Sequence, residues 1–258
     1  MEHHHTAKES FGRLLDIMDE LRAKCPWDKK QTIESLRHLT IEETYELADA
    51  ILDNDMTDVC KELGDLLLHI VFYAKIASET GDFAIEDVID GICDKLVYRH
   101  PHVFGDVSVN DAEDVKTNWE NLKIREGNKS ILAGVPKSLP AVVKAHRVQD
   151  KVRAVGFDWD IREQVWDKIE EEFGELKAEI ERMNTESMEA EFGDLLFSMV
   201  NAARLYGIDP EAALERTNKK FIKRFNYLEQ HTIKVGKPLT SMTLDEMNII
   251  WEEAKKDM

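Results

Sequence analysis

Glycine and proline are scarce, with 12 and 6 in 258 residues. That is too few for the turn density of a β-sandwich or barrel. Cysteine is scarcer still. Cys25, Cys60 and Cys93 form an odd set without CxxC spacing, which excludes a disulfide framework or thiolate zinc site and fits a reducing compartment. No run approaches the roughly 18 apolar residues of a membrane span; the densest, Leu66 to Ala74, is short and contains His69. The N-terminus is polar, carries His3-His4-His5 and has no signal-peptide pattern, so the expectation is a soluble cytoplasmic protein. Basic residues are also in deficit: 34 Lys plus Arg against 52 Asp plus Glu leave a net charge of −18. Such a surface is unsuited to a nucleic-acid polymer or an anionic membrane. Hydrophobic residues at 43% exclude a disordered acidic chain.

What is present is helical periodicity. Phe11, Leu14, Leu15, Met18 and Leu21 form one apolar stripe at helical spacing. Similar stripes run around 40–53, 57–79, 85–99, 141–153, 163–183, 186–206, 210–229 and 243–256. The clearest interruption is 127–140, with two glycines and two prolines in fourteen residues. The pattern predicts an all-α chain: an N-terminal module over 1–126, a linker over 127–140 and a C-terminal module over 141–258.

The two halves repeat each other. At an offset of 129, Glu42, Glu43, Glu46, Leu47 and Ile51 fall on Glu171, Glu172, Glu175, Leu176 and Ile180. The same offset places Glu62, Gly64, Asp65, Leu66, Leu67, Val71 and Ala74 on Glu191, Gly193, Asp194, Leu195, Leu196, Val200 and Ala203. These are twelve ungapped identities between 42 and 74, where unrelated helices give roughly two. Five of the twelve are acidic. Looser echoes flank the block: Trp27-Asp28 with Trp159-Asp160, Lys95 and Arg99 with Lys220 and Arg224, Trp119 and Lys123 with Trp251 and Lys255. The chain is a tandem duplication.

The acids are spaced for a helical hairpin. Glu43 and Glu46 are neighbours on one helix face, as are Glu62 and Asp65. The polar segment Asp53-Asn54-Asp55-Met56-Thr57 lies between them, with Thr57 the expected N-cap. Glu46 and Glu62 share the midpoint 54 with Glu43 and Asp65; Glu175 and Glu191 share the midpoint 183 with Glu172 and Asp194. Residues equidistant from the tip of an antiparallel hairpin lie level, here about 12 Å from it. Each half therefore gathers four carboxylates, and the apolar neighbours of Asp65 and Asp194 predict partial burial. Facing acid pairs repel unless a cation joins them. Oxygen-only ligation selects a hard ion, Mg²⁺ or Mn²⁺. A glycine before each aspartate would admit a neighbouring helix or ligand. A ferritin-like di-metal bundle is disfavoured because no Glu-x-x-His occurs on these helices.

EExxE followed sixteen residues after its last acid by ExxD resembles the MazG family of nucleoside triphosphate pyrophosphohydrolases. Further likeness lies in Cys25-Pro26-Trp27-Asp28-Lys29-Lys30-Gln31-Thr32, in Tyr98-Arg99-His100-Pro101-His102-Val103-Phe104 and in Gly156-Phe157-Asp158-Trp159. The resemblance implies two helical modules that homodimerise, with Mg²⁺ held by the acids. It also implies hydrolysis of nucleoside triphosphates, ATP included, to monophosphate and pyrophosphate. Carried onto this chain, Glu172, Glu175, Glu191 and Asp194 are the C-terminal metal ligands, and Glu43, Glu46, Glu62 and Asp65 their N-terminal counterparts. Glu171 is an outer acid or water-activating base. Lys220 and Arg224 match triphosphate-binding positions, Trp251 and Lys255 those for the base and phosphate end; Lys95, Arg99, Trp119 and Lys123 are the N-terminal equivalents. Pro101 follows Arg99 closely while the C-terminal helix continues past Arg224, which favours the C-terminal module as catalyst. The rival reading is a helical regulatory or interaction module with vestigial metal sites.

Overall fold

The computed structural model describes residues 2–109, 111, 115, 118, 130–236 and 238–256. Among them every regular element is helical. The chain divides into two compact units, Met1–Asn110 and Asp111–Met258. The connector expected at 127–140 begins outside the described residues; from 130 to 140 it forms turns without a helix.

In the first unit α1 spans Glu2–Lys24, α2 Ile33–Leu52, α3 Met56–Thr80, α4 Ile85–Arg99 and α5 Pro101–Phe104. The stripe on α1 is used as its spacing predicts. Met18 packs with Leu36, Val71 and Phe72 into a core where none is more than 3% exposed, and Phe11, Leu14 and Leu15 lie against it. A reciprocal capping box starts α2: Thr32 Oγ1 accepts from the Ser35 amide, and Ser35 Oγ accepts from the Thr32 amide. The cap of α3 is Asp55, whose carboxylate accepts from the amides of Thr57 and Asp58. Thr57 is therefore not the N-cap. Asn54 turns the chain in the left-handed region at φ 55°, so helical geometry resumes one residue after Asp55.

In the second unit α6 spans Ala141–Arg153, α7 Gln164–Arg182, α8 Thr185–Leu205, α9 Pro210–His231 and α10 Leu244–Lys256. α7 and α8 form the hairpin equivalent to α2 and α3; α6 packs on α8, and α9 on α10. The two hairpin tips match residue for residue. Met183 sits at φ 55° where the first unit has Asn54, and Asn184 caps α8 where Asp55 caps α3. The offset of 129 also extends backward along the first helix of each hairpin, since Leu36 and Val165 are both buried to 1% or less.

Candidate metal centres and nucleotide contacts

Helical spacing puts the acids on facing sides of each hairpin. Oxygens of Glu43, Glu46 and Glu62 lie within 4.8 Å of one another, as do those of Glu172, Glu175 and Glu191. Asp65 and Asp194 stand outside these groups, yet their charges act on them. The carboxyl of Glu43 is pushed up by burial and then by the charges of Asp65, Glu46 and Glu62. That of Glu191 is pushed up by burial and then by Glu175, Asp194 and Glu172.

Partial burial holds at Asp65 and not at Asp194. Asp65 is half-buried and Asp194 exposed; the deeply buried acids are Glu62 at 4% and Glu172 at 6% exposure. The apolar neighbours of Asp194 do not enclose it, because Phe192 and Leu196 themselves face outward. Gly64 and Gly193 likewise have nothing within 4 Å of where a Cβ would stand, so among the described residues no helix of the same unit uses the space they leave.

A lysine stands beside each buried carboxylate, and the pattern of acids did not reveal it. Lys61 Nζ lies 2.7 Å from Glu62 Oε1. In the second unit Lys168 Nζ lies 2.7 Å from Glu172 Oε1 and 3.1 Å from Glu171 Oε1, which raises the lysine's pKa. The i, i+4 spacing of Lys168 and Glu172 was the available signal. Glu62 Oε2 is buried with no hydrogen-bond partner, a costly state for a carboxylate oxygen. Three converging carboxylates, one with an orphaned buried oxygen and none accompanied by His or Cys, suit a hard divalent cation.

The proposed nucleotide residues gather in part. Trp251 on α10 meets Phe221 on α9 at 5.0 Å between ring centroids, and the Arg224 guanidinium lies 6.0 Å from the Trp251 ring centre. Lys220 is exposed on α9, and Lys255 pairs with Glu252 at 2.5 Å. In the first unit Lys95 is exposed on α4 and Arg99 is that helix's last residue. Trp119 and Lys123 lie outside the described residues. Where α4 stops at Arg99 and Pro101 opens the short α5, α9 runs on through Arg224 to His231.

The MazG nucleotide pyrophosphohydrolase domain matches this chain twice, over residues 31–104 and 162–228, each match taking in one hairpin with its acids. The chain belongs to the MazG family. The nucleoside triphosphate pyrophosphohydrolase of Escherichia coli K12 is 42% identical over 255 residues, 95% of this chain and 97% of its own. A nucleoside triphosphate pyrophosphohydrolase/pyrophosphatase MazG of Thermotoga maritima is 43% identical, with 95% of each chain covered. A crystal structure of a mazG-related protein from Thermotoga maritima aligns with 44% of this chain and 98% of its own, at 29% identity and a TM-score of 0.39. Both MazG matches fall on all-helical segments, as the duplication predicts. No helix among the described residues is long and apolar enough to cross a membrane.

Proposed function

We propose that this MazG chain is a nucleoside triphosphate pyrophosphohydrolase that cleaves between the α and β phosphates, releasing monophosphate and pyrophosphate. We take its base preference to be broad and its C-terminal module to be the main catalyst. The observation that carries the reading is the pair of mirrored carboxylate clusters, repeated at one offset in a MazG chain. Glu172, Glu175, Glu191 and Asp194 would hold the metal in the C-terminal module; Glu43, Glu46, Glu62 and Asp65 would do so in the N-terminal one. Bound Mg²⁺, with Mn²⁺ as the alternative, supplies positive charge to the phosphates and acidifies water.

The chain's own groups supply the rest. Glu171, exposed and within reach of Lys168, takes a proton from the attacking water. Oxygen of that water bonds to the α-phosphorus, and the bond from this phosphorus to the α–β bridging oxygen breaks. Lys220, Arg224 and Lys255 balance the phosphate charge, and Trp251 lies along the nucleotide. The unbroken α9 supports the C-terminal module, because it carries Lys220 and Arg224 one turn apart on a continuous helix. Lys95, Arg99, Trp119 and Lys123 would bind more weakly beyond the interruption at Pro101.

Homodimerisation belongs to the same reading. Exposed Ile92 and Leu96 on α4 and exposed Phe192 and Leu196 on α8 support it, since soluble monomers rarely leave so much apolar surface uncovered. We also place the protein in the cytoplasm, acting on free nucleotides and not on polymer or membrane, with module edges at 126/127 and 140/141.

The test is to incubate the protein with each nucleoside triphosphate and Mg²⁺ and resolve monophosphate, diphosphate, pyrophosphate and orthophosphate. Pyrophosphate with monophosphate is expected. Glu175→Ala should lower turnover at least about a hundredfold, and Glu46→Ala should retain most of it. The opposite ranking makes the N-terminal module the catalyst, and absence of turnover leaves the regulatory reading.

A further inference from the structure

The two acidic clusters carry the same carboxylates but not the same lysine. Lys61 precedes Glu62 on α3, and at the offset of 129 its counterpart is Ala190. Lys168 precedes Glu172 by one turn on α7, and its counterpart is Leu39. Each module thus has a cation where the other has an uncharged residue.

The surroundings of the two ammonium groups differ. Lys61 Nζ lies 2.7 Å from Glu62 Oε1, and the charges of Asp65 and Glu46 also act on it. All three are ligands of the proposed N-terminal cation site, so this ammonium is a counter-ion to the cluster itself. Lys168 Nζ lies between Glu172 at 2.7 Å and Glu171 at 3.1 Å, and the charges that act on it are those of these two acids. Glu171 is not one of the proposed ligands, so one of this lysine's two partners stands outside its cluster.

Burial sharpens the contrast. Glu62 is 4% exposed, and its Oε2 is buried with no hydrogen-bond partner. A single ammonium on Oε1 leaves that second oxygen unsatisfied, a state that a divalent ion at the cluster relieves. Lys61 keeps 64% of its side chain exposed, so its flexible stem can carry the ammonium into water as an ion enters. The lysine therefore resists the ion without blocking it, with the modest strength of a solvent-screened pair.

We infer that Lys61 is a tethered counter-cation that competes with the divalent ion for the N-terminal carboxylates and makes that cluster the weaker of two metal sites. The inference rests on the reading of both clusters as cation sites and deepens it. The C-terminal site fills first as free Mg²⁺ rises. The N-terminal site fills only as the ion displaces an ammonium. The N-terminal module thereby responds to free divalent ion over a range in which the C-terminal module is already loaded.

The test is Mn²⁺ binding to the full-length protein without nucleotide, followed by electron paramagnetic resonance of the free ion and by calorimetry. The wild-type protein should show two classes of site that differ by about fivefold or more. Glu46→Ala should remove the weak class and Glu175→Ala the tight one, which assigns each class to its module. Lys61→Met should tighten the weak class about fivefold and leave the tight class unchanged. Lys61→Arg keeps the charge and should leave both classes as in the wild type. Lys24→Met, which removes an exposed lysine of α1, should do the same. A weak class that Lys61→Met leaves alone or weakens, or that Lys24→Met tightens equally, overturns the inference and leaves the cation reading intact. So does a weak class that is lost in Glu175→Ala. The expected shifts in a protein that releases no pyrophosphate uphold the inference and overturn the hydrolase reading. A wild-type protein that binds no Mn²⁺ overturns both.

Discussion

The two modules share one hairpin and use it differently. In the N-terminal module the buried carboxylate is Glu62 on the second helix, with Lys61 of the same helix beside it. In the C-terminal module it is Glu172 on the first helix, paired with Lys168 one turn before. Phe72 fills a core in one, and the equivalent Asn201 lines a cavity in the other. The ties to flanking segments differ too. Arg22 of α1 pairs with Glu79 of α3 at 2.6 Å, whereas Arg204 of α8 reaches Asp158, which precedes α7. A duplicated hairpin can thus keep the spacing of its acids while the packing behind it diverges. Carboxylate spacing depends on helix periodicity and tip length alone; a cavity depends on every side chain around it.

The sharpest way to break this contrast is to empty the filled module. Phe72→Ala should cost about 3–5 kcal/mol in denaturant unfolding, because a fully packed aromatic is lost and a void remains. Asn201→Ala, at an existing cavity, should cost about 1 kcal/mol. Equal losses would mean that the two interiors are packed alike.

The second contrast concerns charge. Asp158 lies below its ordinary value of 3.8; burial opposes this, and hydrogen bonds from Arg204 and the Trp159 amide outweigh it. A carboxyl depressed in the folded state binds fewer protons than in the unfolded chain above its folded value. Its contribution is therefore present above the unfolded value and lost as pH falls through the folded one. Asp158→Asn should cost about 2 kcal/mol at neutral pH and flatten the loss of stability below pH 3.8, measured by urea unfolding across that range. The Arg22–Glu79 pair also depresses its carboxyl, but Glu79 is more exposed than Asp158, so Glu79→Gln should cost less. A larger cost for Glu79→Gln would reverse the ranking of the two ties.

The smallest effect lies at the tips. Met183 occupies the left-handed region with 78% of its surface exposed, a conformation glycine adopts without the steric cost. Met183→Gly should raise stability by about 0.5 kcal/mol. Asn54→Gly should change it less, because asparagine already tolerates that region. A fall in melting temperature for Met183→Gly would show that the exposed side chain has a use.

The helices, the duplication and the level placement of the acids were legible because each follows from local periodicity and a fixed offset. Glu46 with Glu62 and Glu175 with Glu191 meet where their midpoints require. What stayed hidden was set by distant neighbours. The repeat gives no reason for burial to fall on Glu62 in one module and Glu172 in the other, since the two sites carry the same acids. The apolar context of Asp194 predicts a partly buried carboxylate, yet Phe192 and Leu196 face outward. At the offset of 129 Asn201 corresponds to Phe72, and their difference acquires meaning only with one lining a cavity and the other filling a core.

The hairpin tip constrains how this protein can vary. Asn54-Asp55-Met56-Thr57 and Met183-Asn184-Thr185-Glu186 share no identity, while each retains one left-handed residue followed by a side-chain cap. Sequence there has drifted freely; length has not. One inserted residue would turn the second helix by about 100° relative to the first, carrying both of its acids off the shared face at once. Insertions and deletions in this segment are therefore a far more severe class of change than any substitution within it, and descendants of this gene should record that asymmetry.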